Sequence, residues 1–405
     1  MISFLTKKNN LGILTIENYY YFIFAVYFAS MFYNGLRVGY IAAFLMLCLA
    51  VINRFQYPTF WTNFSYDFLI PVLYIFWCGF SVAWFGYSGV GYESYAQAVA
   101  NSLVPMLFIF VHSADYDKFW QRMLIAYVLA GIIGTYLLFF QPSWYQYFCL
   151  LRGFDYRRLS FAYGSIIMGN MGAVAVLVAL RMIIRSNGRK GFFLYLLACL
   201  FSFLSMQRSA WIVVALTLVF AHYFFFWKLK MVGLRFLAFE IIGLVVVFIV
   251  LQDQIMSITN SWVDVHELHY RGSITVQSTI SERSYQWERG MASSNLITGS
   301  GFGSRGHKAA ASGFANYVAD GNWVLILCES GIIGLVMFAY ISVNALRKGF
   351  LNFRALFLPV GVVLTFMFQS IGSNVLEQQL IAPLFWLSIR QLLIYDPNQE
   401  MKYVR

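Results

Sequence analysis

The sequence predicts an all-α polytopic membrane protein, and three observations carry that prediction. Of 405 residues, 60% are hydrophobic, 20% aromatic and only 11% charged, against about 25% charged in a soluble domain. Apolar runs of the length a bilayer requires, about 20 residues, recur along nearly the whole chain. One long polar stretch, Gln252 to Asp320, interrupts them late. The expected architecture is therefore about twelve transmembrane helices, with a large water-facing loop between the ninth and tenth. It divides the chain into a transmembrane bundle over 1–251 with a short outward loop near 141–160, the large loop over 252–320, and C-terminal transmembrane helices over 321–405.

Taken in order, the expected spans are Glu17–Tyr33, Val38–Ile52, Phe68–Phe85, Gln97–His112, Phe119–Phe140, Phe161–Ile184, Phe192–Met206, Ala210–Trp227, Phe236–Gln252, Gly321–Val343, Ala355–Ile371 and Leu376–Leu393. Lys7 and Lys8 precede the first span without a small-residue cleavage site, so that span is expected to stay as an anchor. With the N-terminus inside, alternate turns carry Arg54, Lys118, the Arg185–Lys190 cluster, Lys228, Lys230 and Arg347-Lys348. That is the cytoplasmic bias of basic residues, and it puts the long loop outside.

The same bias accounts for the net charge of +11 without invoking nucleic acid. Cys48, Cys78, Cys149, Cys199 and Cys328 are scattered through apolar runs with no CxxC spacing; they read as small core residues, neither a disulfide frame nor a metal site. Uneven span spacing and a single long insertion argue against the internal duplication of many secondary transporters.

Basic residues on the expected outer side are nearly all arginine: Arg37, Arg152, Arg157, Arg158, Arg208, Arg271, Arg283, Arg289 and Arg305, with Lys308 the lone lysine. A planar, bidentate guanidinium suits phosphate or carboxylate recognition. Loop-bracing ion pairs and surface solvation are the competing explanation.

The long loop and its exit carry a series of local patterns. Arg283-Ser284-Tyr285-Gln286-Trp287 lies in a stretch, Ser281–Ser293, that reads as helix. Leu296-Ile297-Thr298-Gly299-Ser300-Gly301-Phe302-Gly303 follows, then Asp320-Gly321 and, after nine intervening residues, Gly331-Ile332-Ile333-Gly334. In this order the chain resembles the bacterial O-antigen polymerase and ligase superfamily. Its members are polytopic enzymes of the GT-C type with a late periplasmic loop, an Arg-x-x-x-Trp helix, a Gly-x-Gly-Phe-Gly-like loop and a glycine-punctuated re-entry helix. The resemblance extends to Arg157-Arg158 ahead of a helix containing Asn170, and to Gln207-Arg208-Ser209. Asp320 stands where the ligase branch has histidine, and Gly321 where its polar partner would be, which favours the polymerase branch.

The resemblance implies an O-antigen polymerase of the bacterial inner membrane, multi-pass, with its active site facing the periplasm. Such an enzyme joins glycan repeat units carried on undecaprenyl diphosphate, donor and acceptor both, in an inverting and metal-independent transfer without cofactor. The lipid bilayer is a partner and a chain-length regulator protein is a further one to consider; no nucleic acid is implied. Ligation of O-antigen to lipid A core is the same-class alternative, and a twelve-helix secondary transporter or flippase the different-class one.

Charge develops on the diphosphate as the glycosidic bond lengthens, and preplaced guanidinium groups stabilise it. Arg283 is the first candidate, and Arg158, Arg208, Arg157 and Arg305 follow as diphosphate-binding residues. Asp320, where polar loop meets apolar helix, is the candidate base for the acceptor hydroxyl; an N-cap of the following helix is its alternative role. Trp287 and Tyr285 are candidates to stack on sugar faces, or to form part of an interfacial belt. Glu282, Glu288, Asp264, Glu267 and Glu377 compete with Asp320 as acids. Glu329 lies near the start of its span, facing a wet cavity or an arginine, and Glu240 reads as snorkelling. His266 and His269 are three apart rather than the four of His-Glu-x-x-His, so no metal is expected. The glycine-rich run lacks the strand and Lys-Ser/Thr of a nucleotide loop and reads as a mobile turn closing the site.

Overall fold

In the computed structural model, the described residues are 15–33, 35–56, 66–84, 92–113, 115–185, 188–207, 283–306, 317–318 and 320–395, with isolated positions at 211, 214–215, 218–219, 222, 242 and 281. Among them the regular structure is all helical, with no strand. The helices are α1 (Tyr19–Ser30), α2 (Val38–Gln56), α3 (Leu69–Trp84), α4 (Tyr92–Ala98), α5 (Tyr116–Phe140), α6 (Ser143–Arg152), α7 (Ser165–Arg185) and α8 (Gly188–Leu204). They continue with α9 (283–292), α10 (Asn322–Leu351), α11 (Phe353–Gly372) and α12 (Ala382–Ile394). The expected spans Ala210–Trp227 and Phe236–Gln252 lie outside the described residues apart from those isolated positions, as does most of the long loop.

Five of these helices, α2, α5, α7, α10 and α11, are long and apolar enough to cross a membrane. This is a helical membrane protein. Large apolar side chains stand on its outside, among them Phe44, Phe76, Phe80, Tyr136 and Val343; so much exposed apolar surface suits lipid rather than water. α7 is the central post. Its residues from Met168 to Leu180 are all buried, and it packs against α5, α8 and α11. Gly172 brings α7 close to α8, since a methyl there would stand 2.6 Å from Ser202. Small residues permit this close approach where no hydrophobic force drives helices together.

Local sequence sets the ends. Asp115 caps α5, its side chain accepting the Lys118 amide at 2.9 Å, and Gln141 closes it in the left-handed region before Pro142. Gly153 at φ 65 ends α6, with the Phe154 amide reaching back to Cys149 O at 2.8 Å, the return bond of a Schellman turn. α6 occupies the short loop expected near 141–160. It buries Tyr145, Phe148 and Cys149 and exposes Trp144, Tyr147, Leu150 and Leu151.

The last expected span, Leu376–Leu393, is not one continuous helix. Beyond α11 the chain makes a 3-10 turn at Val375–Glu377 and runs through Gln378–Ile381 before α12 starts. Leu380 and Ile381 are fully buried there, so the segment enters the bundle as re-entrant backbone. Its carbonyls are met from the side, Tyr20 Oη donating to Leu380 O at 2.6 Å. Non-helical backbone at this depth is tolerated only where protein satisfies it.

Charges gather at two ends. One holds Asp117 between Arg181 and Arg185, Asp67 with Lys348 at 2.6 Å, and Asn53 exchanging bonds with the His112 backbone. The other holds Arg283 with Asp320, and Asp155 with Arg157 and Arg158.

Candidate functional site

The site is built from α9 outward. Arg283 and Trp287 are four residues apart, one turn of helix, so they share a face. Both reach the same dipeptide: Arg283 Nε donates to Asp320 Oδ2 at 3.0 Å, and Trp287 Nε1 donates to Asp320 O at 2.5 Å. Gly321, at φ 110, turns beneath the indole, where a methyl would stand 3.1 Å from Trp287 Nε1. Tyr285 lies on the opposite face, 56% exposed, with the Arg289 guanidinium 5.3 Å over its ring. The two aromatic candidates therefore point to different places.

Asp320 does not cap α10. The N-cap position belongs to Gly321, with no side-chain cap bond, and the Asp320 carboxylate goes to Arg283 instead. Side-chain exposures of 35% and 37% leave this pair partly open to solvent. Pairs this exposed contribute only about 0–1 kcal/mol to stability. Arg283 also lies beside the C-terminus of α11, its Nη1 3.6 Å from where a Gly372 methyl would be, a favoured place for a cation.

Behind this pair, α10 is broken. Gly331 takes φ 68 and ψ −174 inside the helix, and the carbonyls freed by the break are claimed by neighbours. Ser300 N donates to Cys328 O at 2.8 Å, Gly301 N to Glu329 O at 3.0 Å, and Trp77 Nε1 to Ser330 O at 2.8 Å. A side chain at Gly331 would run into Ile297 O, and one at Gly299 into Glu329 O. The two glycines let loop and kink lie backbone against backbone.

The glycine-rich run is thus tied down along its length. Phe302 N donates to Ser81 Oγ at 3.0 Å, while the amides of Arg305 and Gly306 donate to Glu329 Oε1 at 2.9 and 3.0 Å. The acceptor that these amides grip is the protein's own Glu329 carboxyl group, 5% exposed, which gives a buried acid in an apolar helix its hydrogen-bond partners. Glu377 also reaches Gly306, where a methyl would overlap its carboxylate.

Arg305 Nη2 donates to Ser293 O at 2.6 Å, and Arg305 O accepts from Val318 N at 2.7 Å, so Arg305 joins the turn that follows α9 to the strip before Asp320. Arg157 and Arg158 lie elsewhere, in the turn after α6. Both pair with Asp155, at 3.1 and 3.3 Å, and no described bond connects them to Arg283. Arg208, Asp264, Glu267, Glu282, Glu240, Arg271, His266, His269 and His307 lie outside the described residues.

No protein-family model matches this chain, and none of the curated proteins matches it. The reading of the site therefore rests on its own geometry and on the motif order.

One feature escaped the motif reading. The re-entrant segment carries the side-chain amides of Gln378 and Gln379, which meet Asn170 and Asn101 inside the bundle, while Gln369 on α11 donates to the Asn170 backbone. The available signal was a set of carboxamides inside otherwise apolar spans, where polar groups mark function more often than packing.

Proposed function

We propose that this protein is a glycan polymerase of the bacterial inner membrane, of the O-antigen polymerase type. The observation that carries the reading is the joining of Arg283 and Trp287 to Asp320-Gly321 beside a broken helix. It gathers three elements of the motif order, distant in sequence, around one partly open ion pair. The full architecture on this reading has about twelve spans, with the 252–320 loop and the Arg283–Asp320 pair on the periplasmic side.

The undecaprenyl-diphosphate-linked donor places its diphosphate on Arg283, which exchanges the Asp320 carboxylate for phosphate oxygens. Arg305, Arg157, Arg158 and Arg208 supply further positive charge along the lipid's path. Asp320, released from its partner, takes the proton of the acceptor sugar hydroxyl. That oxygen attacks the donor's anomeric carbon from the face opposite the diphosphate, the bond to the diphosphate oxygen breaks, and undecaprenyl diphosphate leaves with its electron pair. The configuration inverts in one displacement, and Trp287, with Tyr285 further out, offers ring surface to the sugars. No metal or cofactor is needed for such a step, because guanidinium groups meet the developing charge.

Arg283→Ala and Asp320→Ala are each expected to abolish long-chain polysaccharide while leaving a single repeat unit on lipid A core. Bare core in both would assign the protein to ligation, and unaltered chain-length ladders in both would sink the enzyme reading.

A secondary transporter is the second reading, favoured by the break at Gly331 and the re-entrant 373–381 segment, features that line binding sites in transporters. It predicts accumulation of unpolymerised, untranslocated lipid-linked units in a deletion strain, with no repeat on core.

A further inference from the structure

The turn that leads into the glycine-rich run presents two apolar side chains outward. Asn295 shapes it: its carbonyl accepts the Gly299 amide at 2.7 Å, and its Oδ1 accepts the amides of Ile297 and Thr298 at 3.0 and 3.4 Å. The backbone is thereby fixed, while Leu296 and Ile297 are 44% and 65% exposed. Two aliphatic side chains on a loop mean little alone.

These two continue a larger surface. Ile332, Val336, Tyr340 and Val343 stand exposed along α10, spaced as one helical stripe. The upper member of the stripe is bonded to the turn: the Ile332 amide donates to Leu296 O at 2.8 Å, and Gly331 lies against Ile297 O. Phe76 and Phe80 on the neighbouring α3 are exposed as well. They end at the same level, where Trp77 donates to Ser330 O and Ser81 accepts the Phe302 amide.

Helix length gives the depth. Toward the other end of α10, Lys348 pairs with Asp67, just ahead of α3, and this marks where the apolar slab stops. The 17 residues from Gly331 to Lys348 span about 26 Å at about 1.5 Å per residue, against about 30 Å for a hydrocarbon core. Ile332 and the turn bonded to it therefore fall at the opposite face of that core, where acyl chain meets headgroup.

We propose that the Leu296-Ile297 tip is seated in the lipid leaflet on the site's side, with its side chains among the upper acyl segments. Lipid is the occupant because the tip carries no charge and is continuous with the exposed apolar stripe of α10. The glycine-rich run behind it is then held from two sides, by α10 through backbone bonds and by the bilayer through this tip. The seating is the same whichever side of the membrane the site faces, and whatever reaction occurs there.

The test places a bimane label on Ile297→Cys in the full chain, reconstituted in phosphatidylcholine–phosphatidylglycerol vesicles. Unsubstituted protein treated in the same way supplies the background from the native cysteines. Val336→Cys on the α10 stripe is the lipid reference, and Glu288→Cys, at an exposed position of α9, the water reference. The expected result is loss of most of the Ile297→Cys emission when the lipid carries bromine near the head of its acyl chains, with little loss to iodide in the buffer. Glu288→Cys is expected to show the reverse. Should Ile297→Cys yield no protein, Leu296→Cys is the second reporter. Quenching by iodide alone would put the tip in water and overturn the proposal. Quenching by neither would overturn it too, because protein, a second copy included, would then cover the tip.

Discussion

Arg283 holds Asp320 at 3.0 Å from 37 residues away in sequence, and the pair joins the α9 face to the carboxylate that precedes α10. Being partly exposed, it contributes little to folding and much to geometry.

Arg283→Lys is therefore expected to leave the melting temperature nearly unchanged, the pair being worth about 0–1 kcal/mol. Chain elongation should still fall steeply, since an ammonium cannot grip two oxygens in a plane as a guanidinium does. Thermal melts of purified protein and polysaccharide gels from the same strain read the two effects separately. Full-length ladders with the lysine variant would remove Arg283 from the diphosphate site.

Glu329 separates acceptor from charge. Glu329→Gln keeps a carbonyl oxygen for the amides of Arg305 and Gly306, whereas Glu329→Ala leaves both without a partner, at about 1–3 kcal/mol per buried group. The alanine variant should melt lower than the glutamine variant and be cut faster by trypsin at Arg305. Equal melting of the two would show that the carboxyl group does not hold the loop.

A paired glycine comparison tests the break in α10. Gly331→Ala forces a side chain onto φ 68 against Ile297 O, with a strain of about 1–3 kcal/mol before any clash. Gly188→Ala meets nothing within 4 Å and should be neutral or stabilising by about 0.4–1 kcal/mol. Monodisperse yield after detergent extraction ranks them; a Gly331→Ala protein as stable as the native chain would contradict the backbone contact.

Cys149, on the inner face of α6, is expected to resist alkylation. Burial pushes its thiol up to about 11, with the nearby Asp155 adding to the rise and a bond to Tyr145 opposing it. The thiolate is the reactive form, so maleimide labelling of a variant retaining only this cysteine should be negligible at neutral pH. Rapid labelling there would mean that α6 lifts off the bundle.

Much of the helix order was legible because apolar runs have the length lipid demands: Phe119–Phe140 and Ala355–Ile371 fall inside α5 and α11. The joint reach of Arg283 and Trp287 was legible as well, since four residues make a helical turn. The role of Asp320 was not. Capping a helix and pairing with an arginine ask for the same residue at the same place, and only the position of α9 decides between them. Gln378 and Gln379 were passed over for a related reason. Two amides at the head of an apolar run lower its hydropathy little, and nothing local says that the chain enters the bundle before it coils. The glycine-rich loop was expected to move, because Glu329, the acid that fixes it, lies on another element.

The break at Gly331 changes what counts as one piece of the molecule. Above it, the first turns of α10 are laced to the Asn295–Gly306 backbone and, through Arg305, to Ser293 just past the end of α9; below it, the helix belongs with α11 and α12. A pull on Arg283 would thus be shared by a small rigid plate rather than absorbed by one side chain, and the glycine is where such a plate would tilt.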